Sequence, residues 1–330
     1  MPNTGLAERI RRAGIRMRIK PVADSAWLGR TALEHPYHAG AIHKSWRNSL
    51  VPYLFVAPFL LFFLTLFLGP AVYSLYLSFC RYAGYGSIEW VGWQNYLAIW
   101  QYPVFWTEIR NVLFYWIAHA VPMMALAFGL AVLVNSTLVK YKNLFKPLIF
   151  TPQIVATVAA ALIFKNFFGT QYGILNRVLG VEIPWLSDLN LARWVVVALL
   201  VWRGLGYWFV IFLAGLTSIN PEILEAAMVD GATSWQRLVY QTIPLMRNSF
   251  LFAFVVDGVV TLRLFAEPNV LVGKAGALAS VEAAPILNMV IENIQTARFG
   301  LAAATGWTLF LLIAILSWLQ FRLFQQRGES

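Results

Sequence analysis

Asn220-Pro221-Glu222-Ile223-Leu224-Glu225-Ala226-Ala227-Met228-Val229-Asp230-Gly231-Ala232 is followed by Thr233-Ser234-Trp235-Gln236-Arg237-Leu238 and then by Thr242-Ile243-Pro244-Leu245. The stretch is a long, polar-containing loop between two strongly apolar segments, and it reads as two short helices. Asn220 can cap the first, with Pro221 at the first helical position, where its missing N–H costs nothing. Glu222 and Glu225 fall near the positive end of the helix dipole. Gly231 ends the helix, because glycine takes the left-handed cap conformation freely. Thr233 or Ser234 can cap a second helix, and Pro244 is expected to close it. Ile223, Leu224, Ala227 and Met228 give the first helix an apolar face that nothing else in the loop can bury, so it should sit on another protein.

Working outward, the rest of the chain is apolar. Of 330 residues 59% are apolar and only 12% charged, whereas a soluble domain is about half apolar and a quarter charged. This is the composition of an integral membrane protein. Six spans are predicted, at about 51–79, 111–134, 147–168, 193–216, 250–264 and 301–324. Each is near the ~20 residues that cross ~30 Å of hydrocarbon, the fifth being short unless its ends extend. Gly69 and Pro70 are expected to bend or end the first. The 14 Trp, 13 Tyr and 24 Phe suit aromatic belts at two membrane interfaces. Cys80 is the lone cysteine, so the chain offers no internal disulfide and no metal signature. His119 falls within the second span, where a hydrogen-bonded structural role is favoured over a proton relay.

Lysine and arginine decide the orientation. Sixteen of the 25 lie in the N-terminal arm, the 135–146 loop, the 218–247 loop and the C-terminal end. The opposite loops hold Arg81, Arg110, Arg177, Lys274 and Arg298, with Arg193 at a border. The positive-inside rule then places both termini and the 218–247 loop in the cytoplasm. The formal charge of +10 is explained by insertion rather than by nucleic acid. Residues 1–50 form a basic cytoplasmic arm, either an interfacial helix on anionic lipid or a disordered tether. No apolar core follows its basic residues before residue 51, so it does not read as a cleavable signal peptide. Residues 51–325 form the membrane domain, and 326–330 a cytoplasmic tail.

The loop also carries a resemblance. Glu225-Ala226-Ala227, Gly231 six residues after Glu225, and Pro244 thirteen after Gly231 resemble the EAA loop of permease subunits of bacterial ABC importers. Asp230-Gly231-Ala232 narrows it to the carbohydrate importers. Gln241 and Ile243 depart from the usual Ile and Leu before the proline. Gly92-Trp93-Gln94-Asn95-Tyr96-Leu97 and Pro184-Trp185-Leu186-Ser187-Asp188 resemble segments of maltose-type permeases. The resemblance implies an all-α membrane protein, with a cytoplasmic coupling helix between the fourth and fifth of six transmembrane helices. Glu225, Ala226, Ala227, Met228, Asp230, Gly231 and Ala232 would couple to the ATPase. The implied setting is a bacterial inner membrane, and the implied activity is sugar or oligosaccharide import by alternating access. The implied partners are a second, non-identical permease, a pair of ATPase subunits that bind ATP and Mg, and an external solute-binding protein. The chain has no phosphate-binding Gly-x-x-x-x-Gly-Lys-[Ser/Thr], so ATP would be hydrolysed elsewhere and the chain needs no cofactor of its own. An ion-coupled secondary transporter is the alternative.

Lys165, Arg203, Asp257 and Arg263 sit within or at the ends of predicted spans. A charge at a span centre costs on the order of 2.5–3.5 kcal/mol, so such residues face a partner or an aqueous cavity. An Arg203–Asp257 or Arg263–Asp257 ion pair would be a purely structural answer. The resemblance adds a pathway: counting from Glu225, the sugar-contacting positions of maltose-type permeases fall here on Leu200, Arg203, Gly204 and Tyr207 of the fourth span. On the fifth they fall on Asp257, Val260 and Leu264. Arg203 and Asp257 depart from a largely neutral pattern, which brings an anionic ligand, a uronate oligosaccharide or a sugar phosphate, into consideration.

Overall fold

The computed structural model describes residues 46–136, 139–273 and 283–325. The first 45 residues of the basic arm, Lys274 and the tail from 326 onward lie outside the described residues. The chain divides into two units between Phe67 and Leu68.

In the first unit, helix α1 (Trp46–Phe62) runs into a π-helical turn (Phe63–Leu68). Residues 53–67 are all exposed. A helix that is apolar all round and unburied suits lipid or another protein rather than water.

Helix α2 (Gly69–Ser78) opens the second unit with Pro70 in its first turn. Gly69-Pro70 therefore does not end the first span, because helix persists from Tyr53 to Ser78. Pro70 cannot donate to the carbonyl four residues back, and the wider turn just before it absorbs the lost bond.

A two-residue antiparallel ribbon, β1 (Cys80–Arg81) and β2 (Glu89–Trp90), leads to α3 (Gln94–Gln101). The Asn95-Tyr96 pair ties this segment to the end of α2. Buried Asn95 donates to the carbonyls of Ser78 and Cys80, each at 2.9 Å, and the Tyr96 hydroxyl bonds Ser78 Oγ at 2.7 Å. The long α4 (Pro103–Asn135) follows.

Two of the six expected spans are broken rather than straight. The third is α5 (Lys142–Ile154) and α6 (Thr157–Phe167), bent by 92°. Pro152 removes one helical bond near the end of α5, and Val155 and Ala156 are extended. After α7 (Ile174–Leu179), Asp188 caps α8 (Leu189–Thr217) by accepting from the Leu191 amide at 3.0 Å. Trp185 donates to Asn176 Oδ1 at 2.7 Å and pins the approach to that cap.

The loop that opened the sequence reading is α9 (Pro221–Val229), α10 (Ser234–Arg237), a π turn (Leu238–Thr242) and α11 (Ile243–Leu245). Pro244 does not close the second helix as expected. It sits in the first turn of α11, and the π turn ahead of it absorbs the missing donor. The bend, 61°, comes at Met246, before α12 (Arg247–Thr261).

The chain then turns back into α13 (Ala266–Val272), and α14 (Leu287–Gln295) and α15 (Phe299–Gln325) complete it. Among the described residues four helices are long and apolar enough to cross a membrane, or up to six if each bent pair counts as one span.

The second unit has three apolar clusters. Met123, Phe128, Phe209, Phe212 and Ala253 bind α4, α8 and α12 together. Tyr115, Ala160, Val196, Leu199 and Leu271 join α4, α6, α8 and α13. Tyr96, Phe105, Val112, Leu262 and Ala304 join α3, α4 and α15 around the end of α12.

Candidate functional site

The α9–α10 segment is built from local rules. Asn220 Oδ1 accepts from the Glu222 amide at 3.1 Å. At the other end the Ala232 amide bonds the Ala227 carbonyl at 2.9 Å, and the Gly231 amide bonds that of Met228 at 3.1 Å, with Gly231 at φ +80°. This paired closure is a Schellman motif, and its left-handed residue is the reason for glycine. Thr233, not Ser234, caps α10, in a reciprocal capping box with Gln236.

Of the residues expected to contact an ATPase, Glu225, Ala226, Met228, Asp230 and Gly231 are exposed and Ala232 is half-buried, while Ala227 is buried. Of the expected apolar face, Leu224 is half-buried and Ile223 and Met228 stay exposed. Val229, Trp235 and Tyr240 extend this uncovered apolar surface.

A second feature lies inside the helical body. A cavity of about 520 Å³ is lined by all seven positions assigned to a substrate pathway: Leu200, Arg203, Gly204, Tyr207, Asp257, Val260 and Leu264. The four on α8 recur at helical spacing and share one face. Gly204 lets α8 approach α4 closely, since a Cβ there would stand 2.5 Å from Met123 Sδ and force that side chain to shift. Tyr207 is part-exposed and meets Trp208 edge-on at 4.9 Å between ring centroids. Gln153 and Thr157, on either side of the α5–α6 break, complete one wall.

The charges pair differently from either expected arrangement. Arg203 Nη1 lies 2.6 Å from Glu267 Oε1, not against Asp257. Asp257 Oδ1 lies 3.2 Å from His119 Nε2, and both side chains are buried. His119 Nδ1 is 2.7 Å from the Tyr115 carbonyl. A carbonyl can only accept, so Nδ1 carries a hydrogen. The Nε2–carboxylate contact then needs a further proton, and the His119–Asp257 pair as a unit is neutral. Asp257 Oδ2 and Arg203 Nε are buried without a hydrogen-bond partner among the described residues. Arg263 lines the same cavity, is exposed, and is anchored by its Nε to the Val259 carbonyl at 3.2 Å.

Glu267 was not among the residues assigned from sequence, where it opens a polar stretch after the fifth span. The signal available was chemical: Arg203 inside a span demands a counter-ion, and Glu267 is among the nearest acidic residues after Asp257. His119 was read as hydrogen-bonded, and it is. No cluster of three or more His, Cys, Asp or Glu capable of holding a metal occurs among the described residues.

Comparison with known proteins agrees with this architecture. Residues 113–327 match the family described as binding-protein-dependent transport system inner membrane component. The lactose transport system permease protein LacF of Rhizobium radiobacter is 32% identical over 83% of this chain and 94% of its own. The arabinooligosaccharides permease AraP of Bacillus subtilis is 28% identical over 89% and 96%. In structure, a chain of a bacterial alginate ABC transporter, crystallised with an alginate pentasaccharide-bound periplasmic protein, superposes with a TM-score of 0.76. It is 20% identical, over 88% of this chain and 99% of that one, and so speaks for the fold.

Proposed function

Since the chain belongs to the family of binding-protein-dependent transport system inner membrane components, we propose that it forms one half of the translocation pore of an ATP-driven importer of a sugar or oligosaccharide. Helix α9 is the coupling helix, in the cytoplasm, received by a groove on an ATPase subunit. The single observation that carries this reading is its form. A locally capped helix, closed by a Schellman turn at Gly231, presents Glu225, Met228 and Val229 outward, exposed among the described residues. An ion-coupled transporter leaves that surface unexplained and is not favoured.

The remaining assignments follow from the same reading. The partners are a solute-binding protein that delivers the ligand, two ATPase subunits and a second permease that completes the pore. Both termini lie in the cytoplasm. ATP and Mg bind on the ATPase subunits, and this chain supplies no catalysis. The cavity between α4, α8 and α12 is the substrate pathway. Closure of the ATPase pair moves α9, the cavity opens to the outer face to take its ligand, and hydrolysis returns it inward. Such a switch requires contacts that differ between two states, and a helix joined to the body through the bends at the π turn and Met246 can provide them.

Glu225→Lys tests the coupling role. The variant should reach the membrane at the wild-type level, lose ATP-driven uptake, and retain less ATPase subunit in mild-detergent purification. Unchanged uptake would remove α9 from the coupling path.

A further inference from the structure

We propose that Arg263 is the residue that reads substrate charge, and that the cavity takes a saccharide bearing an anionic group. The inference rests on the importer reading above and goes beyond it by naming the group and the ligand's charge.

The argument is electrostatic. Five ionisable side chains other than tyrosine line the cavity: His119, Arg203, Asp257, Arg263 and Glu267. Arg203 and Glu267 cancel across 2.6 Å. His119 and Asp257 cancel as a pair that shares a proton, as the Tyr115 carbonyl dictates. Arg263 is left over. Among the described residues no carboxylate reaches it, and its side chain's one hydrogen bond, from Nε to the Val259 carbonyl, leaves both terminal nitrogens for a ligand. The wall therefore carries a net charge of about +1. A guanidinium at the cavity wall with no carboxylate beside it is an anion site, and its fork suits the paired oxygens of a carboxylate or phosphate.

A second observation places hydroxyls beside that anion. Asp257 is buried, and its Oδ2 has no donor among the described residues. In a cavity that includes Tyr207 as an aromatic platform, this acceptor matches a sugar hydroxyl. The substrate is thus both polyhydroxylic and anionic. Arg203, already engaged by Glu267, holds the wall rather than the ligand.

The test uses cells lacking this chain, complemented with wild type, Arg263→Gln or Arg263→Lys at matched membrane abundance. Three labelled probes are supplied: an alginate oligosaccharide as the uronate, sn-glycerol 3-phosphate as the phosphate, and lactose as the neutral sugar. Wild type should restore uptake of one of the two anions, and which one identifies the source of the charge. Arg263→Gln should lower that uptake about tenfold or more, the effect of losing a charge-assisted bond, whereas Arg263→Lys should stay within about threefold of wild type.

Restoration of lactose uptake alone would overturn the proposal and leave the importer intact. Equal loss in both variants, or no loss in either, would also overturn it. Restored uptake that persists in ATP-depleted cells but collapses with the ion gradient would instead remove the importer reading on which it rests.

Discussion

Arg203 and Glu267 are a pair whose worth depends on being complete. The Arg203 side chain is 22% exposed and that of Glu267 10%, so water from the cavity screens them only in part. Removing one partner strands the other charge, at a cost of about 3 kcal/mol or more for a buried pair. Arg203→Gln or Glu267→Gln alone should therefore lower the unfolding temperature of the purified subunit, and the double variant should recover much of the loss. A double variant as unstable as the sum of the singles would show that the two do not interact. The seven positions proposed for a pathway came from the family resemblance, counted from Glu225, and all seven line one cavity. The pairing was not legible. Charge choice depends on which side chains the turn at residues 262–265 folds back, and that turn follows from α13 packing on α6.

The α9–α10 segment shows what local chemistry can specify at the scale of an element. Asn220, Gly231 and Thr233 each act on backbone groups within three or four residues, so their roles survive from sequence to structure unchanged. Gly231 offers the sharpest prediction. A Cβ there would meet no atom within 4 Å, so the cost of Gly231→Ala is purely that of the left-handed backbone, about 1–2 kcal/mol. Gly231→Asn should cost less, since asparagine visits that region more readily. Uptake should fall in the order Gly, Asn, Ala with insertion unaffected. An alanine variant indistinguishable from wild type would mean the Schellman closure does not matter for coupling. Proline was the weaker guide. Pro244 was read as a stop and Pro70 as a bend or an end, yet helix runs past both, because a neighbouring π turn takes up the lost bond. Pro152, in contrast, stands three residues before a full 92° break.

For the whole molecule, apolar runs predict six crossings; among the described residues four helices are long and apolar enough to cross a membrane, or up to six if each bent pair counts as one span. α12, at 15 residues, spans about 22 Å and is shorter than the hydrocarbon layer by itself. The proposed orientation is open to a direct measurement. Cys80 is buried, so Cys80→Ala provides a cysteine-free background. Asp230→Cys should then react with an impermeant thiol reagent only in inside-out vesicles, and Glu182→Cys only in intact spheroplasts. Labelling of both from one side would overturn the orientation.

A family resemblance pointed to the face of α8 that bears Leu200, Arg203, Gly204 and Tyr207, whereas the amino-acid sequence by itself determined what depends on composition and short range: membrane residence, helical spans and the capped α9–α10 unit. These need only hydrophobicity, the helical repeat and backbone hydrogen bonding within a turn. The tertiary structure alone decided that His119 and Glu267 join that face, that the cavity's charges cancel in two pairs, and that Arg263 remains. Those outcomes rest on contacts between residues 64 and 138 positions apart, which only the packing of α4, α8, α12 and α13 around one space brings together.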